Sequence, residues 1–335
     1  MKKTFAAVMT LTMLTAFMAG CSSKESSETA AADVAADTTA AADAASSEET
    51  TYKFAFLPNT QNNTFQAAMN DTFKKLCDEK GYTYVCLDPD YDLNTQLSQM
   101  ADVANQDFDA VFVIPVDSAG IRQGLEQIHE KNIPIINVDT PVIEDDLDLV
   151  ESVIATDAYN AGTLVGGQMA ADYPDGAKIA ILDFPSNESC VNRVNGFMDG
   201  LGDAADKFEI VAQQDGAAAL DVSMPIAEDI IQANPDLDAF FCINDPSALG
   251  AAAAIKASGK SGIGVYSIDA SPDGKAAILD GSFTAVAAQV PIGIAETAFE
   301  KAEELLAGGT IDKEILLPSF LVDQEKAEAT LNEWQ

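Results

Sequence analysis

Basic residues are scarce in this chain. Its 335 residues include 18 Lys and Arg against 54 Asp and Glu, a formal net charge of −36 at pH 7. Phosphate backbones are gripped by clustered Lys and Arg, so nucleic acid is excluded as a partner. The same deficit argues against adsorption on anionic lipid. Charge of one sign favours solubility and keeps copies apart, which points to a monomer. Histidine is scarcer still: His129 stands alone, inside a helical stretch, and forms no set with a serine or cysteine. Ser-His-Asp and Cys-His catalysis are thereby excluded, and no G-x-S-x-G elbow is present. A hydrolase would have to rest on a carboxylate pair such as Asp139 and Asp269, which leaves the surrounding amides and Arg193 unexplained. Cysteine is limited to five residues. Cys77, Cys86, Cys190 and Cys242 lack metal-ligand spacing and read as buried thiols, with Cys77 and Cys86 near enough in chain order to approach each other. Neither a metal nor a cofactor is expected.

The first 51 residues stand apart from the rest. Lys2 and Lys3 precede an apolar stretch, Thr4 to Met18, that is short for a bilayer span. The following MAGCSS places Ala19 and Gly20 directly before Cys21 and resembles the bacterial lipobox, with Met18 where Leu is preferred. That resemblance implies cleavage before Cys21, a diacylglycerol on its sulfur, and an extracytoplasmic protein anchored to the cell membrane by lipid. Residues 21–51 are Ala, Ser, Thr, Asp and Glu with almost no large apolar side chain. Such a segment cannot bury enough surface to offset its ordering entropy, and it reads as an acidic tether.

From Tyr52 onward the pattern alternates. Short runs rich in Val, Ile and Phe are followed by stretches of 3.6-residue period. Strands are predicted at Lys53–Leu57, Thr83–Leu87, Ala110–Ile114 and Ile133–Val138, with helices at Thr64–Glu79, Asn94–Asn105 and Ser118–Lys131 between them. A second cycle of the same kind begins after TDAYNAG and runs to the helix Ile292–Leu306. Alternation of this kind means right-handed crossovers and parallel sheets buried on both faces. The fold class is therefore α/β, as two doubly wound parallel-sheet lobes. The expected boundaries are a leader over 1–20, the tether over 21–51, a first lobe of 52–156 with 290–318, and a second of 157–289 with 319–335. The DPDYDL stretch at Asp88 starts as a calcium loop does, but Leu93 and Gln99 replace the glycine and glutamate that such a loop needs. It reads as a solvated loop.

Ligands of open α/β sheets sit outside the carboxyl ends of the strands. Collecting what stands there gives Asn59, Asn63 and Phe65 after the first strand, then Asp139, Arg193, Asn244, Asp269 and Gln289. Asp245, followed by Pro246, reads as a helix N-cap, as do Asp117 and Asp157. The remaining set suits a dense array of hydroxyls. Carboxylates accept from vicinal OH groups, amides both donate and accept, Arg offers a planar fork, and Phe65 gives a floor for an apolar ring face.

These residues carry a resemblance to the sugar-binding proteins of bacterial ABC importers, the ribose- and galactose-binding group. It covers about Tyr52 to Val322 and lies in NTQNNTFQ, VIPVDSAG, NIPIINVD, NRVNGF, INDPSALGA, SIDASPDG and AAQVPIGIA, in that order. The resemblance implies a type I periplasmic binding protein with a three-crossing hinge, a sugar in the inter-lobe cleft, and delivery to an ABC permease. By position it implies that Asn63 and Phe65 are the first-lobe amide and aromatic, and that Asp139 is the carboxylate after the fourth strand. Arg193, Asn244, Asp269 and Gln289 are then the second-lobe arginine, amide, carboxylate and hinge-side glutamine, while Asn59 takes a site often held by a small polar residue. Thr140 stands where ribose binders have a second arginine, Gln66 where they have another aromatic, and no aromatic occurs around Ala217 to Leu220. The implied pocket is roomier and less cationic than a ribose site and suits a hexose, a furanose form, a polyol or a modified sugar. Two other readings share the fold: a ligand-sensing protein for a chemotaxis or kinase receptor, and a binder of a non-sugar such as a nucleoside or a furanosyl signal.

Overall fold

The computed structural model describes residues 51–335. The expected leader, Cys21 and all but the end of the tether lie outside the described residues. The first half of the described chain runs β1 (Lys53–Leu57), α1 (Thr64–Lys80), β2 (Thr83–Cys86), α2 (Leu93–Ala104), β3 (Ala110–Val113), α3 (Arg122–His129), β4 (Ile135–Val138) and β5 (Ser152–Thr156). Next come α4 (Ala158–Asp172), β6 (Lys178–Asp183), α5 (Glu188–Gly200), β7 (Glu209–Asp215), α6 (Leu220–Ala233), β8 (Ala239–Cys242), α7 (Asp245–Ser258), β9 (Gly264–Asp269), α8 (Pro272–Asp280) and β10 (Ala285–Ala288). The chain closes with α9 (Pro291–Leu306), β11 (Glu314–Leu317), β12 (Leu321–Val322) and α10 (Gln324–Ala329).

Two six-stranded sheets result, ordered β11-β5-β4-β3-β1-β2 and β12-β10-β9-β8-β6-β7. Every pairing is parallel except that of β10 with β12. The strand order reverses at β1 in one sheet and at β6 in the other, the switch point where a crevice opens at the carboxyl ends. The chain passes between the sheets three times: at Asp157, at Gln289–Val290, and between Leu317 and Leu321. The two lobes are therefore interleaved. The strands β5, β11 and β12 and the helix α10 carry runs too short or too mixed to stand out as periodic segments.

Each sheet is covered on both faces, as its unbroken apolar strands require. Phe54, Phe56, Phe73 and Phe112 are fully buried in the first lobe, and Phe197, Phe240 and Phe241 in the second. Phe73 stacks on Phe112 at 4.2 Å and Phe197 on Phe241 at 4.1 Å. Burying each such ring contributes about 1.5–3 kcal/mol. The four described cysteines are free thiols, and Cys77 and Cys86 form no disulfide. Among the described residues no helix is long and apolar enough to cross a membrane, and no cluster of metal-ligating side chains occurs.

Candidate functional site

A small cavity lies between the carboxyl ends of the two sheets. Asn59, Asn63, Phe65, Asp139, Arg193, Asn244, Asp269 and Gln289 all line it.

The opening wall is a strand-to-helix turn. Asn63 N-caps α1, its side-chain oxygen accepting from Phe65 N at 2.8 Å. Beneath it, Gln66 Oε1 accepts from Asn59 N at 2.9 Å and Thr60 N at 3.2 Å, while its amide NH₂ bonds Asn59 Oδ1. Gln66, where ribose binders have an aromatic, thus ties down the loop and leaves the NH₂ of Asn59 as the group able to serve a ligand. Asp139 follows β4 in the left-handed region, φ 63°. Buried Asn137 builds that turn, donating to Val113 O and Thr140 O and accepting from Val142 N. A strained residue at a strand end points to a constraint beyond packing.

The facing wall comes from the second lobe. Arg193 on α5 donates through Nη1 to Ile243 O at 2.8 Å, with the same nitrogen 3.7 Å from Asp269 Oδ1. Asp269 also accepts from Gln289 Nε2 at 2.7 Å and from Asp245 N at 3.1 Å. Asn244, not Asp245, caps α7: its Oδ1 accepts from Ser247 N and its Nδ2 donates to Ala218 O. The expectation that Asp245 is the N-cap is corrected here. Asp245 is the first helical residue and fully buried, and its carboxylate accepts from Ser267 Oγ, Ser271 N and Ser271 Oγ. It braces the turn that follows β9. Asp157 does cap α4, whereas Asp117 holds the turn before α3, which starts at Arg122.

Arg193 is held by a close helix crossing. Gly162 and Gly166 on α4 meet Gly196 and Gly200 on α5, so that a Cβ at Gly196 would stand 2.0 Å from Tyr159 O and one at Gly162 2.1 Å from Arg193 O. Only glycines on both helices permit that approach.

Sequence reasoning missed two aromatic residues at the cavity, Tyr91 and Phe184. Both stand just past strand ends, Phe184 directly after β6 and Tyr91 in the DPDYDL loop after β2. The strand-end criterion would have found them had it been applied to those ends. That loop is solvated as expected, with Asp88, Asp90, Tyr91 and Asp92 exposed, and it also reaches the cavity. Asp90 and Tyr91 adopt φ of 50° and 61°, Tyr91 N bonds Asn59 O at 2.8 Å, and Asn62 Nδ2 bonds Asp90 Oδ1 at 2.8 Å. Ala218 occupies the cavity edge where an aromatic is lacking, and Phe184 supplies the second-lobe ring instead.

The lobes meet at the mouth. Asn187 Nδ2 donates to Thr140 Oγ1 at 3.0 Å, Ser189 Oγ to Asp139 O at 3.2 Å, and Glu188 N to Ser118 Oγ at 3.3 Å. Thr140, in the position of the missing arginine, thereby joins the lobes and also donates to Asp139 Oδ2. Two buried atoms of opposite character, Asp139 Oδ1 and Arg193 Nε, have no hydrogen-bond partner in the protein. Buried polar groups are nearly always paired, and of the buried atoms left unpaired among the described residues these two belong to side chains that line the cavity. Burial pushes the Asp139 carboxyl up to about 6, with Arg193 pulling it back and Asp269 adding to the rise. Burial raises Asp269 as well, again opposed by Arg193.

Comparison with known proteins agrees with this architecture. Residues 54–310 match the periplasmic binding protein domain. Ribose import binding protein RbsB of Escherichia coli (strain K12) is 30% identical over 255 residues, covering 76% of this chain and 84% of the relative. Its namesake from Bacillus subtilis (strain 168) is 30% identical over 268 residues, covering 80% and 86%. A crystal structure from Mycobacterium smegmatis, in complex with β-D-fucofuranose, superposes with a TM-score of 0.78 at 25% identity over 83% of this chain and 93% of that one. With its two interleaved α/β lobes, its cavity at the switch points and a domain match over most of its length, the chain belongs to the periplasmic binding protein family.

Proposed function

We propose that this protein is an extracytoplasmic solute-binding protein that captures a monosaccharide or related polyol between its lobes and delivers it to an ABC permease. The carrying observation is the pair of unpartnered buried atoms, Asp139 Oδ1 and Arg193 Nε, on the walls of a small cavity that also holds three aromatic rings. An anionic acceptor and a cationic donor together suit a neutral molecule dense in hydroxyls, whose OH groups serve both. Phe65, Tyr91 and Phe184 suit the apolar faces of its ring. The eight residues named from sequence are the ligand contacts in this reading, with Tyr91 and Phe184 added. The ribose and fucofuranose associated with the relatives above support a sugar. The reading includes a lipid on Cys21, a monomer, and lobes 52–156 with 290–318 and 157–289 with 319–335 that close as bodies.

The direct test is thermal melting against pentoses, hexoses, polyols, nucleosides and amino acids. A ligand at ~100 times its dissociation constant stabilises by about 2.7 kcal/mol. A shift with one or a few sugars is expected. A shift only with a nucleoside or an amino acid overturns the sugar reading while keeping the fold.

Affinity is also expected to depend on pH. Asp139 must be ionised to accept from a ligand hydroxyl, and its carboxyl stands at about 6 in the fold against 3.8 ordinarily. Binding is therefore expected to weaken as pH falls through about 6, by up to roughly tenfold per unit, and to level off above 7. Stability without ligand runs the other way: the Asp139 contribution is fully present below 3.8 and lost as pH rises through about 6. Calorimetry at pH 5 and pH 7.5 checks the first statement; equal affinities at the two values would count against Asp139 as an acceptor.

A further inference from the structure

The segment after α10 reaches behind the cavity and touches both of its walls. Lys275, fully buried on α8, donates from Nζ to Thr330 O at 2.9 Å and to Glu333 O at 2.5 Å, fixing the segment to the second lobe. From there Trp334, the single tryptophan of the chain, crosses to the first lobe and packs edge-on against Phe65, centroids 5.5 Å apart at 86°. Phe65 is 4% exposed, so Trp334 is part of the backing that sets where its ring lies. The next residue turns to the other wall. Gln335 Nε2 stands 3.1 Å from Ala270 O, 3.1 Å from Gln289 O and 3.4 Å from Asp269 O. Asp269 and Ala270 hold φ of 137° and 54°, backbone that a non-glycine residue seldom adopts. One amide thus bridges the carbonyls of two cavity residues across neighbouring strand ends and supports a strained turn.

We propose that Trp334 and Gln335 are positioning residues for the ligand site: Trp334 sets the Phe65 ring, Gln335 sets the Asp269–Gln289 wall, and together they tie the two lobes behind the ligand. The proposal rests on the cavity being the ligand site. Preorganised contacts lose affinity when their backing loosens, even where no ligand contact is removed.

The experiment compares the full chain with Trp334→Ala, Trp334→Phe and Gln335→Ala. D-ribose, D-allose, D-galactose, L-arabinose, D-fucose and myo-inositol are titrated by calorimetry, with melting temperature and amide hydrogen exchange measured without ligand. Trp334→Ala and Gln335→Ala are each expected to weaken binding of whichever probe binds by tenfold or more, and Trp334→Phe is expected to restore most of it. Without ligand, exchange is expected to rise around Phe65 in Trp334→Ala and around Asp269 and Ala270 in Gln335→Ala. Affinities within twofold of the parent overturn the proposal, whatever the melting temperatures do. If none of the six probes binds the parent protein, the sugar or polyol with the largest melting shift replaces them; if only a nucleoside or amino acid shifts the melting temperature, the sugar reading is what fails, and exchange alone decides: no change at either wall overturns the positioning role, and a local rise at each supports it.

Discussion

Arg193→Ala is expected to abolish useful ligand binding. The guanidinium is 5% exposed, serves Ile243 O through Nη1, and keeps Nε free of protein partners at the cavity. It is also the positive charge that pulls both Asp139 and Asp269 down toward ionisation. Its removal takes away a charged donor and leaves two buried carboxyls without a counter-charge. Truncating one partner of a buried, hydrogen-bonded charge set costs about 2–5 kcal/mol, or roughly thirtyfold to several thousandfold in affinity. A second consequence separates this from simple loss of a contact. With Arg193 gone, Asp139 rises further, so the residual binding is expected to fade at a pH above the parent's value of about 6. Arg193→Lys is not expected to rescue, because a compact ammonium cannot bond Ile243 O and also offer a donor where Nε lies. Calorimetry of the three proteins from pH 5 to pH 8, with the sugar that gives the largest melting shift, provides the test. An Arg193→Ala protein that binds within tenfold of the parent removes Arg193 from the site.

Gly196→Ala is expected to damage stability and binding together. In an open helix position this change would stabilise by close to 1 kcal/mol, since alanine has the better helix propensity. Here the added Cβ would meet Tyr159 O at 2.0 Å, and the reciprocal contacts run 2.1 Å from Gly162 to Arg193 O, 2.2 Å from Gly166 to Phe197 O and 2.4 Å from Gly200 to Thr163 O. The neighbours are backbone atoms of a packed helix, so no side chain can swing aside and α4 and α5 must separate. Overpacking of this sort costs about 1–3 kcal/mol and occasionally more. The displaced helix carries Arg193, Ser189 and Cys190, all at the cavity, so affinity falls with stability. Gly167 on the same helix α4 provides the contrast. A Cβ there finds only Gly200 O, at 3.7 Å, so Gly167→Ala is expected to be neutral or stabilising. Melting temperatures of the two variants decide the matter. If Gly196→Ala melts at or above the parent temperature, the helices are not locked as described.

Much of this molecule could be read without coordinates, for a physical reason. Strands buried on both faces must be apolar throughout, and helices that cover them must show a period of 3.6, so the order of elements is written locally. The strand-end rule then turns that order into a site, and Asn59, Asn63, Phe65, Asp139, Arg193, Asn244, Asp269 and Gln289 do line one cavity. Other features have no local signature. Asn244 rather than Asp245 caps α7 because Ser267 and Ser271, distant in sequence, claim the Asp245 carboxylate. Tyr91 enters the cavity because two residues hold left-handed backbone and Asn59 accepts from its amide, a choice made between two loops. Gly162, Gly166, Gly196 and Gly200 look like unremarkable helix residues until two helices cross at them. Trp334 lies 269 positions from Phe65 (334 minus 65) in a stretch with no periodicity, and only the third passage between the lobes brings the two rings together. The sequence by itself determined which elements form and which strand ends converge, because burial and backbone geometry are local demands. Tertiary structure alone decided which polar atoms satisfy one another and which, like Asp139 Oδ1 and Arg193 Nε, are left without a partner in the protein. Pairing is settled by neighbours in space and not by neighbours in the chain.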